Sequence, residues 1–216
     1  MPDPRLPVRI LTVASDPQSP ESAPTAASVG RAAAKAARRQ ALLAAAARLM
    51  AVGGYAAVRL EDIGAAVGVS GPAMYRHFTG KQDLLAAMLI DISDRLLAGA
   101  TAVDVADPVL RLHRLVELHV DFATTEPDLI TVQYRDLGAL DDERAAEIRR
   151  RQRSYIGLWA DALMAAVAID RPHAMVRAQA VFGLINSAPR LGVIPVAELR
   201  LQLQSMAVAA LTSSRF

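Results

Sequence analysis

The chain has 216 residues, of which 53% are hydrophobic and 21% charged, enough to bury a sizeable core. It contains no cysteine, which excludes disulfides, thiolate metal sites and thiol nucleophiles, and its 4% aromatic content calls for an aliphatic core. The formal net charge of +2 is unevenly spread: residues 31–81 hold eight basic side chains against Glu61 and Asp62, while the flanking segments are slightly acidic. A basic block joined to a mildly acidic remainder is the footprint of a nucleic-acid-binding module attached to something else.

Residues 1–30 are rich in Pro, Ser and Ala without a sustained period, and read as a disordered arm. The apolar stretch at 8–14 is too short for a signal peptide and is interrupted by Arg9. No run of about eighteen apolar residues predicts a membrane span, so the expected location is the cytoplasm, with no membrane partner. From Gly30 onward the chain is dominated by Ala, Arg, Leu, Glu and Gln, all good helix formers, and the fold class is all-α with about nine helices. The first helix is predicted over 32–52, with Leu42, Ala45, Ala46, Leu49 and Met50 on one stripe, ending at Gly53-Gly54. Two short helices follow at 60–67 and 71–78, then a longer one at 81–98. Asp107-Pro108 opens another, which Glu126-Pro127 closes. Helices over 128–136, 141–168, 173–187 and 196–212 complete the series.

The informative block runs from Arg59 to Phe78. Two short helices are joined by Gly68-Val69-Ser70, and Gly68 supplies the left-handed conformation such a turn needs. Gly64 is placed where a small side chain lets the helices approach closely, and Ile63, Val67, Val69 and Met74 lock the pair together. This is a helix-turn-helix, whose second helix enters a DNA major groove. On that helix Met74 and Phe78 define the inward side, while Pro72 and Arg76 point away from it. Arg76 can pair with a guanine edge or a phosphate, and Ala73 suits a thymine methyl. Ser70 reads as an N-cap, leaving the helix start, with Gly71, open to a phosphate. Tyr75 and Lys81 are further phosphate candidates, and His77 lies nearer the inward edge.

Residues 38–97 resemble the DNA-binding domain of the TetR/AcrR-type bacterial transcription regulators. The resemblance runs through Arg38-Arg39-Gln40, Gly53-Gly54-Tyr55, Glu61-Asp62-Ile63, Val67-Gly68-Val69-Ser70-Gly71, Tyr75-Arg76-His77-Phe78 and Lys81-Gln82-Asp83-Leu84-Leu85. It implies a homodimer with one helix-turn-helix per subunit, here over 31–81, and a larger ligand-binding and dimerisation domain over 82–216. Most such regulators are repressors that leave a palindromic operator when a small molecule binds. Two positions depart from the pattern: Arg59 stands where the family usually has a capping Thr or Ser, and Pro72 where it often has Thr. Arg31, Lys35, Arg38 and Arg39 form a candidate arm toward phosphate or minor groove.

The resemblance also implies pairing of the last two helices in a four-helix bundle, through Ala178, Phe182, Ile185, Leu199, Leu203, Met206 and Ala210. Their alternative is the chain's own core. The effector pocket is expected among the middle helices, with Phe122, Tyr134, Tyr155, Trp159, Leu163 and Phe182 as candidate lining. Residues 133–137, the arginine run 149–153 and Trp159 resemble regulators of fatty-acid, sterol or branched-chain catabolism, some of which respond to acyl-CoA thioesters. An effector of that kind would place its acyl chain in an apolar tunnel and its phosphates near arginines. His113, Glu117 and Asp121 recur on one helix face, but an exposed polar stripe accounts for them better than a metal site, and neither metal nor cofactor is expected. Two other classes compete: an architectural DNA-binding protein without an effector, and a helical enzyme, for which no nucleophile–base arrangement is found.

Overall fold

The computed structural model describes residues 26–213 of the chain. Most of the expected N-terminal arm, residues 1–25, lies outside the described residues, as does the side chain of Arg31. Two units are distinguished, residues 1–36 and 37–216. The described part of the first is the leading segment of a helix, exposed over 32–36. Residues 26–30 are therefore helical rather than part of an irregular arm: the Ala-rich run carries helix propensity across the point where the apolar stripe stops.

Among the described residues there are nine α-helices: α1 (Ala26–Gly53), α2 (Leu60–Ala66), α3 (Gly71–Met74), α4 (Lys81–Thr101), α5 (Pro108–Thr125), α6 (Pro127–Asp136), α7 (Asp142–Ala166), α8 (Arg171–Ile185) and α9 (Val196–Thr212). Short 3-10 turns at Leu137–Ala139 and Ala188–Arg190, which periodicity cannot register, follow α6 and α8. Within the second unit, α4 packs on α7, α7 on α5 and α8, and α9 on α5 and α8. No helix among the described residues is long and apolar enough to cross a membrane.

The helix starts follow from local chemistry. Asp107 Oδ1 accepts from the backbone N–H of Val109 at 2.8 Å and Leu110 at 3.0 Å, and Pro108 occupies the first helical position, where no N–H is needed. Asp141 and Asp170 cap α7 and α8 in the same way. At the other end of α1, Gly54 takes φ +82° and donates its N–H to the Met50 carbonyl at 2.8 Å, closing the helix.

The helix-turn-helix has one tight point. Gly68, at φ +70°, makes the turn, and Val69 folds back to donate to the Gly64 carbonyl at 2.8 Å. A Cβ on Gly64 would stand 2.6 Å from the Val69 carbonyl oxygen and 2.8 Å from Met74 Cγ. The close approach that glycine permits thus sets the angle between α2 and α3, with Ile63, Val69 and Met74 buried in the join. Gly64→Ala is expected to cost about 1–3 kcal/mol through backbone displacement, a fall in Tm of roughly 2–4 °C per kcal/mol for a chain of this size. Thermal unfolding followed by circular dichroism measures it.

Candidate nucleic-acid interface and ligand cavity

The second helix of the motif is shorter than its pattern predicts. α3 ends at Met74, and residues 75–77 continue as turns in which Arg76 bonds back to Ala73, after which Phe78 bonds back to Met74. Ser70 occupies the N-cap position with extended backbone, but its hydroxyl makes no capping bond. Arg59 likewise brings no cap of its own. The start of α2 is held instead by Asp62, whose carboxylate accepts the Arg59 backbone N–H at 3.0 Å, so the expected loss of a cap is partly made good from inside the helix.

Met74 and Phe78 are buried, while Arg59, Ser70, Pro72, Tyr75 and Arg76 are exposed. Gly71, Ala73 and His77 are half-buried. Among the described residues, the guanidinium groups of Arg38, Arg59 and Arg76 have no carboxylate partner. The other candidates are held by neighbours. Arg39 lies 4.8 Å over the Phe78 ring. Lys81 donates to the Ala56 carbonyl at 3.0 Å and stands 4.5 Å over the Tyr55 ring. The Tyr75 hydroxyl donates to Glu61 at 3.2 Å, and that carboxylate raises its pKa. Both acidic residues of the basic block are thereby committed to local bonds, Asp62 to the start of α2 and Glu61 to Tyr75. The arginines are left as its open charge.

Deeper in the second unit, a cavity of about 350 Å³ opens among α4, α5, α6, α7 and α8. Phe122, Tyr134, Tyr155 and Phe182 line it. Tyr134 stands at its open side, 85% exposed, with Arg190 5.9 Å from its ring. Trp159 and Leu163 do not line it. Both are fully buried behind it, with Trp159 edge-on to Phe182 at 4.8 Å. At helical spacing Tyr155, Trp159 and Leu163 share a stripe, but only its first turn reaches the cavity.

Among the lining residues that pattern reading passed over is His119. It falls on the apolar stripe of α5, with Leu112, Leu115, Val116 and Val120, and a lone polar residue on such a stripe was the available signal. It is buried, with Nδ1 3.2 Å from the Tyr155 hydroxyl and Nε2 3.1 Å from Asn186 Oδ1. Its ring lies 4.7 Å from Phe182. Burial pushes the imidazole pKa down to about 4 and raises that of the Tyr155 phenol, so both groups are neutral at pH 7.

The supposed metal face divides into pairs. Glu117 binds Arg114 and Asp121 binds Arg200, each at 2.7 Å. No group of three metal-ligating side chains occurs among the described residues. The arginine run is similarly split: Arg149, Arg150 and Arg153 face solvent, whereas Arg151 lines the cavity and is paired with Asp94 and Glu147.

Five of the seven residues assigned to a subunit interface belong to the chain's own core. Ala178, Ile185, Leu199 and Leu203 are buried, and Phe182 faces the cavity. Only Met206 and Ala210 are exposed. The apolar stripe of an isolated helix marks the face it turns inward. A second apolar set on α8 and α9, Val176, Ala180, Ala209 and Ala210, borders a groove of about 820 Å³, and Met206 is exposed one turn before Ala210.

A contact from α6 reaches the end of α1, the helix before the helix-turn-helix. Arg135 on α6 donates to the Ala51 carbonyl at 3.2 Å and to the Met50 carbonyl, while Asp136 holds its guanidinium from behind at 2.9 Å. Met50 and Ala51 are at the end of α1, and the guanidinium adds a second bond to the Met50 carbonyl, which Gly54 already satisfies, beside its bond to Ala51.

Two family models match the chain. One, described as bacterial regulatory proteins of the tetR family, matches residues 42–88, and a tetracyclin repressor-like C-terminal domain matches residues 105–190. Among solved structures, a TetR-family transcriptional regulator from Bordetella parapertussis is 26% identical, with a TM-score of 0.67 over 78% of this chain and 93% of that one. A tetR-family regulatory protein from Rhodococcus RHA1 is 23% identical, with a TM-score of 0.69 over 82% of this chain and 98% of that one. AibR, solved in complex with isovaleryl coenzyme A and operator DNA, is 22% identical, with a TM-score of 0.65 over 78% of this chain and 97% of that one.

The buried imidazole makes stability depend on pH. The folded-state pKa of about 4 lies below the ordinary value of 6.5, so the unfolded chain binds the proton more readily. Stability should fall as pH drops through that window, by up to about 3 kcal/mol from this residue. His119→Gln, which does not titrate, should lose less than the parent between pH 7 and pH 4.5 in urea unfolding. Parallel losses would contradict the assignment.

Proposed function

The chain belongs to the TetR family of bacterial regulatory proteins, and on that premise we propose that it is a repressor released from a palindromic operator by a small hydrophobic effector. The DNA-binding part is residues 31–81, with Arg76 and Pro72 facing the groove and Arg38, Arg39, Arg59, Ser70, Gly71, Tyr75, His77 and Lys81 around them. Residues 82–216 form the effector and dimerisation part. Two copies pair through the outer apolar face of α8 and α9, whose exposed Val176, Ala180, Met206 and Ala210 would otherwise stay in water. The protein works in the cytoplasm and is not an enzyme.

The observation that carries this reading is the cavity wall itself. α6 contributes Ile130, Gln133 and Tyr134 to the lining, and its Arg135 holds the end of α1. A ligand that displaces α6 therefore acts on the helix that supports the reading head, which is the differential contact that an effector needs in order to shift an equilibrium.

An acyl-CoA suits the cavity in part. Its volume of about 350 Å³ is at the low end for small-molecule sites. The acyl end and thioester fit inside, and the coenzyme would lie outside, past Tyr134 and Arg190. AibR, solved with a coenzyme A thioester, supports this choice of effector class.

Genome-fragment selection with the purified protein, followed by footprinting, tests operator reading. A protected palindrome is expected, and enrichment without a shared motif would favour an architectural role instead. On the recovered site, Arg76→Ala should cost about 1–3 kcal/mol and relax preference at one base pair. Arg135→Met should leave operator affinity within about twofold and weaken release by effector at least about fivefold, a coupling of roughly 1 kcal/mol. Fluorescence anisotropy with and without effector measures both.

A further inference from the structure

The cavity carries a polar network that the release mechanism does not use. Tyr155 on α7, His119 on α5 and Asn186 at the end of α8 are linked in series by hydrogen bonds. Asn186 Oδ1 can only accept, so His119 Nε2 carries the proton, and Nδ1 accepts from the Tyr155 hydroxyl. One group is left over. The Asn186 amide nitrogen has no acceptor among the described residues, and its side chain lines the cavity. With Oδ1 turned toward His119, this donor is presented in advance to whatever enters.

The charges point the same way. Arg151 is the charged residue of the lining, and two carboxylates, Asp94 and Glu147, each 2.7 Å away, already hold it. His119 is kept neutral by burial. A carboxylate entering here would lose its hydration and find the cation of the lining already paired. A neutral carbonyl or hydroxyl oxygen loses far less and gains the waiting N–H groups.

We infer that the part of the effector that enters this cavity is uncharged, carries a carbonyl or hydroxyl oxygen received by Asn186, and is selected against carboxylates. The inference rests on the reading of the cavity as the effector site. A thioester, ketone, ester or alcohol satisfies it, whereas a free acid anion does not.

Trp159 supplies a readout independent of DNA. It is the single tryptophan of the chain and lies 4.8 Å from Phe182 and 6.0 Å from His119, ring to ring. The full chain at pH 7.5 is titrated with a medium-chain methyl ketone, the alkanoate of equal chain length and the matching hydrocarbon, following tryptophan emission. The ketone should bind at least about tenfold more tightly than the alkanoate. Asn186→Ser should lower ketone affinity about fivefold or more and leave hydrocarbon affinity within about twofold. The double variant His119→Phe, Asn186→Leu removes both partners of one bond and should abolish the ketone's advantage over hydrocarbon. Equal binding of alkanoate and ketone, or a ketone advantage that survives both variants, overturns the inference while leaving the effector site standing. A saturable response to none of the three probes removes the effector site, and the inference with it.

Discussion

The contact on which the regulatory account depends is the reach of Arg135 from α6 to the last carbonyls of α1. Helix ends leave carbonyls unpaired, and a buried or half-buried helix end must find donors somewhere. Here Gly54 satisfies the Met50 carbonyl through its own backbone, and a guanidinium from α6 shares that carbonyl and satisfies the next, Ala51. The bond is charge-assisted, since Asp136 orients the guanidinium without capturing all five of its donors. Local chemistry that closes one helix thereby fastens α6, a wall of the cavity, to the helix that precedes the helix-turn-helix. Within the family this answers a general need: two sites on one chain can be coupled only through an element that both of them bias.

The basic block and the cavity use charge in opposite ways. In the helix-turn-helix, both carboxylates are engaged locally and several arginines are left without partners, which suits attraction to a phosphate backbone. Around the cavity the one lining cation is overmatched by carboxylates, and the titratable groups inside are held neutral by desolvation. The same small inventory of Arg, Asp and Glu leaves open positive charge on one surface and a fully paired cation in the lining of the other.

The helix-turn-helix was legible because its constraints are local. Gly68 needs a positive φ, Gly64 needs contact with Val69 and Met74, and both needs are met within a dozen residues. Asp107, before α5, announced that start for the same reason. The cavity and the subunit face were less legible because they depend on which helices meet. Periodicity finds an inward stripe but does not distinguish the chain's own core from a partner's, so Ala178, Ile185 and Leu203 proved to be core. Trp159 and Leu163 share a stripe with Tyr155, yet depth along α7 decides which of them a ligand can touch. His119 and Arg135 take their roles from partners far along the chain, Asn186 in one case and Met50 in the other.

The most direct test of the account is reciprocity on the recovered operator. Operator affinity is measured with the cavity empty and with it saturated by a ligand that perturbs Trp159, and ligand affinity is measured with and without saturating operator. The account predicts that each weakens the other by the same factor, as linkage requires, and that the factor collapses toward one in Arg135→Met. Saturating the cavity with no change in operator affinity would contradict it.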